Sequence, residues 1–82
     1  MDVDFNRTVS VGRLNIKLYE PHWKIKPIIA YLRNRFDGSD VELLGYDDFE
    51  DHCAVQFAFA GDEKTAKSKV ETALKTYKHQ ES

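Results

Sequence analysis

The sequence predicts a single α+β domain of order β-α-β-β-α, and three observations carry that expectation. Positions 8–19 alternate apolar and polar residues, and 53–60 set large apolar residues on one face and small or polar ones on the other, the period of a half-buried strand, with residues 41–46 read as a strand between them. Across positions 25–36 and 66–77 the apolar residues fall instead at helical spacing. Eighty-two residues leave room for one domain, 1–82, and one core.

The first segment changes register midway. Val9 and Val11 belong to one alternation and Leu14, Ile16 and Leu18 to the other. A slip of one residue reverses every side chain, and Gly12 sits where a bulge absorbs it, so one bent strand is expected. Glu20-Pro21 closes that strand. A helix then starts between Trp23 and Pro27, with Ile25, Ile28, Ile29, Leu32 and Phe36 as its buried stripe. Pro27 must lie in the first turn, where its missing N–H is no loss. Gly38 supplies the stop.

Residues 41–46 form the second strand and residues 47–52 an acidic hairpin loop. The third strand puts Cys53, Val55, Phe57 and Phe59 on one face and Ala54, Gln56, Ala58 and Ala60 on the other. Asp62 caps a last helix of about sixteen residues, with Ala66, Val70, Ala73, Leu74 and Tyr77 facing in. The ordered core should run over residues 8–78, with the last four residues frayed.

These elements assemble as a three-stranded antiparallel sheet with two helices on one face, a ferredoxin-like order lacking the last strand. Two surfaces follow. The first strand becomes an edge with unpaired backbone groups, and the sheet face opposite the helices has no cover.

Composition narrows the function classes. A lone cysteine, Cys53, excludes an intramolecular disulfide and suits a reducing compartment. With His22, His52 and His79 the only other soft ligands, no zinc spacing is present. His52 and Cys53 are strand neighbours and point to opposite faces, so they form no catalytic dyad. No phosphate loop or nucleophile elbow occurs. We therefore expect no enzyme activity, no cofactor and no small-molecule substrate. The longest apolar run, residues 28–32, is too short to span a bilayer, and the acidic N-terminus is unlike a leader. A cytoplasmic location away from membranes is expected.

The net charge is only −2, but its signs are sorted along the chain. Residues 1–35 hold seven Lys or Arg against three Asp or Glu, and residues 36–63 hold nine acids and no Lys or Arg. Residues 64–82 hold five Lys against two Glu. Three candidate surfaces follow. The open sheet face presents Tyr19, Leu44, Tyr46, Ala54, Gln56 and Ala58, small side chains beside apolar ones, and suits a protein interface. The acidic loop Asp47, Asp48, Phe49, Glu50 and Asp51 sets an aromatic anchor in a charged rim for a basic partner. Arg13, Lys17, Lys24, Lys26, Arg33 and Arg35 are a candidate nucleic-acid contact.

The strand, the helix over 25–32, Arg33-Asn34-Arg35-Phe36, and the strand, acidic turn, strand and helix after it resemble the YlxP-like family of small ferredoxin-like proteins over residues 11–78. That resemblance implies a place in translation or ribosome maturation. The family's turn carries Gln and Trp where this chain has Asp47-Asp48-Phe49-Glu50-Asp51. The short length and absent strand are also similar to the small dimer-forming subunit of the KEOPS tRNA-modification complex. There the last helix bears a serine/asparagine signature that Lys67-Ser-Lys-Val-Glu-Thr-Ala-Leu74 does not repeat. Both imply a non-catalytic accessory module near RNA machinery, and neither assigns site residues.

The function expected is a protein-interaction module that self-associates, as a homodimer, or docks on a larger assembly. An RNA-binding accessory domain is the alternative. An acidic-loop mimic that blocks a nucleic-acid-binding protein is a third.

Overall fold

The computed structural model describes the backbone of residues 2–36, 38 and 40–81, and the side chains of residue 4 and of residues 11–21, 23–36, 38 and 40–78. The elements in chain order are β1 (Asp2–Ser10), β2 (Arg13–Tyr19), α1 (His22–Phe36), β3 (Val41–Asp48), β4 (Cys53–Phe59) and α2 (Glu63–Glu81). The strands form one antiparallel sheet in the order β1-β2-β4-β3. The α+β class and the antiparallel trio β2-β4-β3 with two helices are as the sequence predicts.

The N-terminal segment adds a strand to that trio. Residues 8–19 are not one bent strand, because the chain reverses at Val11-Gly12 and Ser10 pairs with Arg13. Gly12 has a φ of 77°, a left-handed conformation that a residue with a Cβ adopts only under strain. The register switch between Val11 and Leu14 therefore marks a hairpin. β1 fills the place beside β2 that a C-terminal strand would otherwise take. The expected open edge along Arg13–Tyr19 is thus closed by the chain's own N-terminus. β1 and β3 are the true edges.

The core lies between one sheet face and the helices. Leu14, Ile16 and Leu18 of β2, Cys53, Val55 and Phe57 of β4, and Val41 of β3 are buried against Ile25, Ile28, Ile29, Leu32 and Phe36 of α1 and Ala66, Val70, Ala73 and Leu74 of α2. Phe36 and Phe57 meet edge-on at 5.8 Å. Cys53 has no exposure, as its register predicts, and burial, helped by the charge of Asp48, pushes its thiol up to about 12. It is a protonated thiol at neutral pH.

α1 begins at His22, a turn earlier than Pro27 allows for a first-turn proline. The Lys24 N–H donates to the Pro21 carbonyl at 2.8 Å and tightens the start. Pro27 has no N–H for the Trp23 carbonyl, but both residues lie on the exposed side, where water can serve that oxygen. α2 is capped by Asp62. Its Oδ2 accepts from the Thr65 N–H at 3.3 Å and from the Thr65 hydroxyl at 3.2 Å. Among the described residues no helix is long and apolar enough to cross a membrane.

Candidate docking surface

Alternation along β2 and β4 turns the residues between the core positions onto the second sheet face, which no helix covers. Register places them in rows across the strands. Lys17 lies between Asp4 of β1 and Ala54 of β4, and Ala54 is paired in turn with Asp47 of β3. The next row runs Thr8, Asn15, Gln56, Gly45, and the one after it Ser10, Arg13, Ala58, Glu42. Ala54 and Gly45 carry little side chain, so the floor is low between β2 and β3. A shallow concavity of about 490 Å³ lies there, with Asp4, Lys17, Leu44, Asp47 and Gln56 among its lining.

β3 does not keep its alternation. A bulge between Leu43 and Gly45 inserts Leu44 as an extra residue, so Leu43 faces Phe57 and Gly45 faces Gln56. Leu44 is thrown out onto the open side at 43% exposure. Beyond it the parity is inverted. Tyr46 pairs with Val55 and packs against the core, so it leaves the set expected on the open face. Tyr19, Leu44, Ala54, Gln56 and Ala58 remain there.

At one end of this face three rings meet. Asp47 and Asp48 are the last residues of β3 rather than loop residues. The loop proper is closed by the Phe49 N–H, which donates to the His52 carbonyl at 2.8 Å. That closure stacks the Phe49 ring on His52, with centroids 4.6 Å apart and planes at 13°. Tyr19 of β2 lies on His52 at 5.3 Å and 32°. The imidazole Nδ1 is 2.7 Å from Asp51 Oδ1 and must donate, because the carboxylate only accepts. This bond, with a contribution from the backbone N–H, holds the Asp51 carboxyl below its usual range. Phe49 is 50% exposed and Tyr19 39%. Asp47, on the outward parity of Gly45, and the loop acids Glu50 and Asp51 are exposed beside the stack, whereas Asp48 pairs with Cys53 and belongs to the other parity.

The structure therefore joins two sets that the sequence kept apart, the open face through Tyr19 and the acidic loop through Phe49. His52, which the sequence offers only as a soft metal ligand and as a neighbour of Cys53, links them. The six-residue basic set is divided. Arg13 and Lys17 lie on the open sheet face, away from the helices. At 100° per residue Lys24 and Arg35 fall on one flank of the α1 stripe and Lys26 and Arg33 on the other. Arg35 faces α2, Arg33 faces β3, and Lys24 is 4.0 Å from Glu20 and 5.3 Å over the Trp23 ring. Trp23, 72% exposed, went unremarked in the sequence, although its phase lies opposite the Ile25–Phe36 stripe.

Among the described residues no three His, Cys, Asp or Glu side chains come together as a metal site. Comparison with protein-family models, with curated proteins and with solved structures finds no match to this chain.

Proposed function

We propose that the chain is a non-catalytic docking module whose uncovered sheet face takes a basic protein partner. The observation that carries this reading is the Tyr19–His52–Phe49 stack, half-exposed at the end of that face and flanked by the exposed acids Asp47, Glu50 and Asp51. Aromatic rings attract the cations of Arg and Lys, and an acidic rim steers and orients them. Leu44 gives a second, apolar contact beside the concavity. The β3 edge itself is a poor template for strand addition. It carries a bulge and the exposed acids Glu42, Asp47 and Asp48, features that keep foreign strands off an edge. Contact across the face is favoured over pairing along the edge.

The test uses the partner that the wild-type chain captures from its native host. Leu44→Asp and the pair Tyr19→Ala with Phe49→Ala should each weaken binding by roughly thirtyfold or more, the loss of an interface anchor. All three residues are partly exposed, so the far-UV spectrum should be unchanged. Lys26→Glu with Arg33→Glu, on the helix layer, should bind as wild type. The reverse ranking would remove the sheet face from the reading and put the helices in its place.

A further inference from the structure

The sorting of charge along the sequence becomes a sorting by layer. The helices α1 and α2 hold nine of the twelve Lys and Arg residues but only three of the fourteen Asp and Glu. The chain is acidic overall, yet its helix layer is strongly basic. Within that layer the two helices do not close completely. A concavity of about 370 Å³ between the C-terminal end of α1 and the middle of α2 is lined by Arg35, Phe36, Ser68, Lys69 and Thr72.

We propose that this interhelical groove is a contact site for the phosphate backbone of a nucleic acid. Two cations and two hydroxyls converge on it from different helices. Arg, Lys, Ser and Thr are the side chains that bond phosphate oxygens without reading bases. Ser68 and Thr72 are one turn apart on α2, so both hydroxyls face the same side as the groove. Among the described residues Asp40 is joined to this set, its Oδ2 3.5 Å from Lys69 Nζ. Both side chains of that pair are well exposed, so a phosphate can replace the carboxylate at little cost. Further lysines along α2, Lys64 and Lys75, extend the positive surface beyond the groove, which suits a polymer with repeated charges better than a lone anion. The site lies on the layer opposite the docking face and stands or falls independently of it.

Fluorescence anisotropy of the full chain with a labelled single-stranded RNA, and with a duplex DNA of equal length, tests the site across a salt series. Binding to at least one is expected, weakening steeply as salt rises. Arg35→Glu with Lys69→Glu should weaken it at least about tenfold at low salt. The same change should flatten the slope of log K against log salt by about 0.7 per lost contact for the single strand and 0.9 for the duplex. Arg35→Ala with Lys69→Ala should act in the same direction by less, which guards against a folding artefact of charge reversal. No binding to either polymer at low salt would overturn the proposal, as would an unchanged slope in both double variants. Competition by polyglutamate as effective as by the nucleic acid would assign the groove to an acidic protein instead.

Discussion

Phe57→Ala should remove most of the chain's stability. Phe57 is 1% exposed at the centre of the sheet, paired with Leu14 on one side and Leu43 on the other, with Phe36 edge-on above it. Truncating a buried Phe costs about 3–5 kcal/mol, because the cavity collapses only in part. A domain of this length has a total stability of about 4–12 kcal/mol and belongs near the low end of that range. Urea unfolding followed by far-UV circular dichroism should show the midpoint fall by most of its wild-type value. Val11→Ser, at the fully exposed hairpin tip, should leave it unchanged. A Phe57→Ala midpoint within a few tenths molar of wild type would mean the core is not built around this ring.

Deleting residues 1–10 should turn the chain into a self-associating species. β1 pairs with β2 from Asp2–Tyr19 to Ser10–Arg13, and its removal exposes the N–H and C=O groups of β2. An open edge of this kind pairs with a second copy. Sedimentation velocity should show concentration-dependent oligomers for the truncated chain only. A truncated chain that stays monomeric and equally stable would show that β1 adds nothing to the sheet.

The parts of the fold that were legible in the sequence are those where one period runs unbroken. The α1 stripe, the alternation from Cys53 to Phe59 and the Asp62 cap all read directly. The hairpin at Val11-Gly12 did not, because it lacks the Asn-Gly or Asp-Gly signal of two-residue turns. β1 also has an irregular register between Asp4 and Thr8, which blurs its alternation. The bulge at Leu44 was hidden by the apolar pair Leu43-Leu44, where either residue could face the core, and the inward turn of Tyr46 followed from it. The ring stack depends on Tyr19 at the end of β2 meeting His52 in the loop that enters the neighbouring β4. No local pattern encodes such a contact. The charge blocks were visible, but only the two-layer packing gave the helices one sign.

The central claim is that the uncovered sheet face, and not the helix layer, receives the protein partner. Amide chemical-shift mapping of the labelled chain, titrated with the basic partner it captures, tests this most directly. The expected shifts cluster on residues 13–19 of β2, on 53–59 of β4, at Leu44 and Gly45, and on the Phe49–His52 loop, with α1 and α2 still. Shifts confined to the helices, with the amides of Tyr19, Leu44, Phe49 and His52 unmoved at saturation, would contradict the account.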